Sequence, residues 1–125
     1  MKFTLGKEER LKSRKRIETL FKESQAVRSP AVLVLYHFPD QIGDKTQAMF
    51  TVSKRNFKRA HDRNFIKRYL REAYRLQKHT LTVTRPIHLC FTFTGKQLPE
   101  YDYIYKKIGQ ALLEINKSTQ LHEKN

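Results

Sequence analysis

A chain of 125 residues has room for one domain around one core, and a hydrophobic content of 38% with 11% aromatics is enough to fill it. The formal net charge of +14 excludes the usual balance of a small-molecule enzyme; such self-repulsion opposes folding and implies a polyanionic partner, either nucleic acid or an anionic membrane surface. No stretch approaches the ~20 apolar residues of a membrane span, the N-terminus lacks the apolar run of a signal peptide, and the single cysteine, Cys90, excludes an internal disulfide and fits a reducing, cytoplasmic setting.

Residues 1–12 read as irregular. Ser13 is placed to cap a helix over Arg14 to Glu23, whose Ile17, Leu20 and Phe21 form one stripe at i, i+3 and i+4. An extra short strand fits Ala26–Arg28. Ala31 to Phe38 is a β run ended by Pro39, residues 39–46 with Gly43 and Asp44 read as a hairpin loop, and Gln47 to Ser53 reads as the returning strand. A long helix is predicted to begin between Lys58 and Asp62 and to end near His79, and Thr82 to Pro86 break the pattern. Ile87 to Phe93 alternates, with Ile87, Leu89, Phe91 and Phe93 on one face and His88, Cys90 and Thr92 on the other. After a loop at Gly95 and Pro99, a final helix runs from about Tyr101 to Asn116, and residues 117–125 are expected to fray. The order is α-β-β-α-β-α with one additional strand. That is a single-domain α/β (α+β) sandwich, with helices packed on a small mixed sheet.

The position of the charge says more than its total. Residues 1–28 carry a net of +5, residues 54–78 a net of +8, and all the rest a net of only +1. An evenly solvated surface would not segregate charge in this way. At 100° per residue, Ile66, Tyr69, Leu70, Ala73 and Leu76 cluster on one arc of the long helix, while Arg63, Asn64, Lys67, Arg68, Arg71, Arg75 and Lys78 cluster on another. Like charges at i, i+4 destabilise a helix, and only Asp62 and Glu72 are available as local partners. Guanidinium forks match phosphate oxygens, so this face, led in by Lys54, Arg55, Lys58 and Arg59, is the candidate phosphate-binding element.

The run Arg63-Asn64-Phe65-Ile66-Lys67-Arg68, followed by Leu70-Arg71-Glu72-Ala73-Tyr74-Arg75, resembles the RNR-type motif of the bacterial ribonuclease P protein family. Phe50-Thr51-Val52-Ser53-Lys54-Arg55 resembles the strand entering that motif. Glu9-Arg10-Leu11-Lys12-Ser13 with Phe21 resembles the opening segment, and Phe93-Thr94-Gly95-Lys96 the approach to the last helix. The resemblance spans nearly the whole chain. It departs at Phe65, where the family usually has a basic residue. Phe65 either packs beside Tyr69 and Leu76 or stacks on a base.

The resemblance implies the protein subunit of an RNA-based endonuclease that removes the 5′ leader of precursor tRNA. The partners would be ribonuclease P RNA, at one protein per RNA, and precursor tRNA; the cofactors would be the catalytic RNA and Mg²⁺ held mainly by that RNA. It also implies a ribosomal-protein-like fold with a left-handed β-α-β crossover, against the general right-handed rule. By position, the basic helix motif contacts the catalytic RNA, and a cleft involving Arg10, Lys12, Ile17, Phe21 and Tyr36 holds the single-stranded leader. Ile17 stands where the family tends to have an aromatic.

The sequence offers no active site of its own. The five histidines (His37, His61, His79, His88, His122) lack metal-ligand spacing, Cys90 has no CxxC partner, and the acidic residues form no Mg²⁺ cluster. His61 and Asp62 could touch an RNA-bound hydrated metal. A ribosomal or RNA-assembly protein without a nuclease role is the alternative, and a basic helix lying on a membrane is a third reading.

Overall fold

The computed structural model describes residues 5–40 and 45–123, with side chains as far as Thr119. The expected loop residues Gly43 and Asp44, like the last two residues of the tail, lie outside the described residues. The elements are α1 (Arg14–Glu23), β1 (Gln25–Ser29), β2 (Val32–His37), β3 (Gln47–Val52), α2 (Ala60–Gln77), β4 (His88–Phe93) and α3 (Tyr101–Glu123), with 3₁₀ turns at Lys7–Glu9 and Lys78–Thr80.

Local chemistry sets several of these boundaries. The Ser13 hydroxyl accepts from the Arg16 amide at 3.4 Å and so caps α1. The extra strand is real: β1 pairs antiparallel with β2 from Gln25↔Tyr36 to Ser29↔Val32. Pro30 and Ala31 make the two-residue turn, and Ala31 takes a φ of 69°. That left-handed conformation costs a residue with a Cβ about 1–2 kcal/mol. The Ala31 carbonyl accepts from the Thr94 amide at 2.8 Å, which ties the turn to the end of β4.

The hairpin expected between Ala31–Phe38 and Gln47–Ser53 does not form. The strand order is β1-β2-β4-β3. β4 enters between the two, antiparallel to β2 and parallel to β3, so β3-α2-β4 is a crossover unit. Burial explains the placement. Every β4 residue except Thr92 is buried, whereas β3 keeps four of its six residues partly exposed. The most continuously apolar strand takes a central position covered on both faces.

α2 and α3 cover one face of the sheet. Val34, Leu89, Phe91 and Phe93 meet Ile66, Leu70, Ile104, Ile108 and Leu112 there in the main core. α1 covers part of the other face, where Leu11, Leu20 and Cys90 pack with Ile17, Leu35 and Met49. This second cluster explains why His88 and Cys90 are as buried as their apolar neighbours on β4. Burial pushes the Cys90 thiol up, which leaves it a packing residue.

Two expectations about the ends are corrected. α3 does not stop at Asn116 and fray but continues to Glu123. Asn116 exchanges hydrogen bonds with Thr80 and Thr82, and Thr119 is buried, so packing carries the helix past its apolar stripe. Nor is the described N-terminal segment wholly irregular. Leu5 and Leu11 are buried, Leu11 donates to the Ala48 carbonyl at 2.9 Å, and Lys78 donates to the Glu9 carboxylate.

Leu20 is fully buried while its neighbour Phe21 is 53% exposed. Leu20→Ala should therefore destabilise the protein by about 2–5 kcal/mol, and Phe21→Ala by less than about 0.5 kcal/mol, as read by urea unfolding. Burial alone would raise the Glu9 carboxyl, but Lys78 and the Gly6 amide hold it net below the ordinary carboxylate range. Its folded pKa is depressed, so the stabilisation is present at neutral pH and is lost as pH falls through that lowered value. Acid titration of the unfolding midpoint should accordingly fall less steeply in Glu9→Gln than in the parent.

Candidate nucleic-acid interface

The connection from β3 to α2 is pinned from within. Asn56 Nδ2 donates to the carbonyls of Thr94 and Gly95 at 3.1 and 3.2 Å, and buried Phe57 packs against Phe93 with ring centroids 6.0 Å apart. Gly95 lies so close that a Cβ there would sit 2.6 Å from the Phe93 ring. These anchors leave Lys54, Arg55, Lys58 and Arg59 exposed around the connection. They also bring Lys96, one residue beyond Gly95, to the same end of the sheet. Sequence reasoning did not select Asn56, Phe57 or Lys96; the available signal was a polar and an aromatic residue set inside a run of cations.

α2 then carries the charge outward. Ile66, Leu70, Ala73, Tyr74 and Gln77 are buried on its inner face. Leu76 and Tyr69, expected on that face, are only partly covered. Gln77 replaces them: its Nε2 donates to the Ala73 carbonyl at 3.1 Å and to the Tyr105 carbonyl at 2.9 Å, which joins α2 to α3. Asn64, Arg68 and Arg71 are exposed on the outer face, with Lys67 and Arg75 partly so. Lys67 and Arg68 make no ion pair among the described residues. Arg71 lies 5.9 Å from the Phe50 ring centroid, and Arg75 is paired with Glu72.

Arg63 differs from the rest of the row. Its Nη1 donates at 2.8 Å to the carbonyls of both Phe57 and Lys58, so its guanidinium locks the connection onto the first turn of α2. Its wheel angle, about 60° from Ile66, already places it beside the buried face.

On the α1 side, half-buried Leu33, Leu35, Met49, Thr51 and Thr92 share a partly open strip of sheet beside α1, the trough, with the Thr51 and Thr92 hydroxyls 2.8 Å apart. Ile17 and exposed Phe21 lie one turn apart on a single flank of α1. Arg10 and Lys12 are exposed just ahead of α1, with Arg10 bridged to Ala48 at the β3 edge. Tyr36 is not in this trough, which corrects its expected place there. It is buried on the opposite face, beneath α3, and its hydroxyl donates to Gln25 Oε1 at 2.9 Å. Successive strand residues face opposite ways. The trough therefore receives Leu35.

A family model described as Ribonuclease P matches residues 5–115. The chain belongs to the ribonuclease P protein family. A relative from Porphyromonas gingivalis (strain ATCC 33277), a ribonuclease P protein component, is 33% identical over 123 residues, covering 90% of this chain and 87% of the relative. One from Photorhabdus laumondii is 37% identical over 81 residues, covering 65% of this chain and 66% of the relative. Solved RNase P protein structures from Staphylococcus aureus and Thermotoga maritima share the fold. Their TM-scores are 0.69 and 0.68 at 20% and 21% identity, covering 89% and 83% of this chain and 97% and 94% of theirs. This is the protein subunit of the endoribonuclease that matures tRNA 5′ ends, and RNA binding is the family's role.

Against that family, Phe65 stands in place of the usual cation at the margin of the buried α2 face. Its ring lies 4.5 Å from that of Tyr69, and it is 37% exposed. Among the described residues, no group of three or more His, Cys, Asp or Glu could hold a metal ion. His37 lies 3.6 Å from Glu23, in a hollow beside α1 away from α2.

The two kinds of arginine separate by experiment. Arg63→Ala removes two charge-assisted bonds to backbone carbonyls and should lower stability by about 1–3 kcal/mol. Arg68→Ala should leave stability within about 0.5 kcal/mol of the parent. Thermal and urea unfolding of the two variants check the contrast.

Proposed function

We propose that this ribonuclease P protein holds the catalytic RNA on the surface built from residues 54–59 and the outer face of α2, and the single-stranded leader of precursor tRNA in the trough beside α1. The observation that carries the reading is a cationic surface that runs from the β3–α2 connection onto the outer face of α2, whose inner face is backed by the main core. Lys54, Arg55, Lys58, Arg59, Asn64, Lys67, Arg68, Arg71 and Arg75 supply it, with Arg63 positioning the connection. Helix-mounted guanidinium and ammonium groups neutralise phosphates without reading sequence, as a scaffold for a folded RNA requires.

The trough suits a leader of varied sequence. Phe21 offers an exposed ring, the threonine hydroxyls offer polar partners, and Arg10 and Lys12 supply positive potential. Ile17 gives apolar contact without a ring. Among the described residues no group of three or more His, Cys, Asp or Glu offers a ligand set for Mg²⁺. In this reading the RNA holds the metal, and the protein binds and orients. One protein serves each RNA, in the cytoplasm.

The test is cleavage of precursor tRNA across a magnesium titration, with the cognate RNA alone and with the protein added. Protein should lower the magnesium requirement and tighten substrate binding; binding without either effect would support a non-nuclease RNA-binding role. Arg68→Ala and Arg71→Ala should each flatten the salt dependence of RNA binding by about one phosphate contact. Unchanged slopes would remove those two residues from the interface.

A further inference from the structure

The helical layer carries a row of aromatic rings that the two RNA surfaces above do not use. Phe65 and Tyr69 stand one turn apart on α2, and Tyr101 and Tyr105 one turn apart on α3. Their ring centroids follow one another at 4.5, 5.3 and 6.0 Å, which makes a single row across the α2–α3 seam. The row ends in exposed rings, Phe65 at 37% and Tyr105 at 38%. It lies on the sheet face opposite the α1 trough.

The surroundings of the row are charged. The Glu72–Arg75 ion pair stands near Tyr101, and their charges act on its phenol. Arg68, exposed, follows Phe65 by three residues and leads into the cationic face of α2. Phe65 occupies a position where a cation would have extended that face.

We propose that this aromatic row is a third RNA contact, which stacks unpaired bases on Phe65 and Tyr105 while Arg68 holds an adjoining phosphate. The proposal rests on the RNA-binding reading above. Charge complementarity selects the occupant. A second copy of this chain would bring another +14 against the same surface, and an apolar protein partner would strip water from Arg68 and from the Glu72–Arg75 pair. Single-stranded RNA satisfies both features, because any base presents a π face and its phosphate meets the guanidinium. Neighbouring rings meet at 50°, 72° and 47°, so the row is not one flat shelf. Each exposed end takes its own base.

The chain contains no tryptophan, so Phe65→Trp installs a single fluorescent reporter. Its emission should be quenched by single-stranded oligoadenylate and left unchanged by a duplex of equal length. The double variant Phe65→Leu, Tyr105→Leu should bind the cognate catalytic RNA at least about fivefold more weakly, with an unchanged salt slope and an unchanged urea midpoint. An unaltered tryptophan signal while a gel shift shows oligoadenylate bound would overturn the proposal, as would parental affinity in the double variant. A tryptophan signal that moves with protein concentration alone would make the row a contact between copies, and would also overturn it. A parent chain that binds no RNA would instead bring down the RNA-binding reading itself.

Discussion

The burial of one face of α2 against the sheet is the interaction on which the rest depends. Between Lys54 and Lys78 ten cations repel one another, and each like-charged i, i+4 pair costs an isolated helix about 0.2–0.5 kcal/mol. Five buried residues on the opposite face of α2 offset that cost. Each large apolar side chain removed from water contributes about 1.5–3 kcal/mol. The same packing fixes where the cations point. A free helix would smear its charge over rotational states; a docked one holds it as a surface with a direction. The β3–α2 connection extends the effect, because Asn56, Phe57 and Arg63 fasten it from inside while four cations remain outside.

Elements whose cause is local were legible in the residues. Ser13 and the i, i+3, i+4 stripe mark α1, and the 3.6-residue period marks α2. Strand partners were not legible, because pairing is decided by which strand can be covered on both faces. β4 wins that position over β3, and no local pattern states it. The error at Tyr36 has a different origin. Strand parity is binary, so a shift of one residue exchanges trough for core, and Leu35 and Tyr36 are both plausible strand residues in isolation. Arg63 deceived for a third reason, and Gln77 went unselected for the same one. A polar side chain that ends on backbone carbonyls looks in sequence like one that ends in solvent.

The two faces of the sheet divide the chemistry. The α1 side has a small cluster and a partly open trough of mixed apolar and hydroxyl groups. The α2–α3 side has the large core, and it turns its charge and its aromatic row outward. A nucleic acid that met both would have to pass around an edge of the sheet. Arg10 sits at the β3 edge, bridged to Ala48, and the cationic connection at residues 54–59 follows directly from the end of β3. Cations thus stand at both ends of that edge, Arg10 beside Ala48 and Lys54 just beyond Val52.

The central place of β4 also has a consequence in time. β2 and β3 both wait for it as a neighbour, and it lies 41 positions beyond β3 in its register, as in Gln47↔His88 separated by the whole of α2. Contacts of such separation form late and slow the search for the native state. As the chain emerges from synthesis, the residues of the cationic helix are made before the strand that completes the surface burying its apolar face. During that interval α2 is an exposed amphipathic cation among polyanions. The arrival of β4 ends the interval: it closes the sheet, seats α2 and converts a generally sticky helix into a directed one.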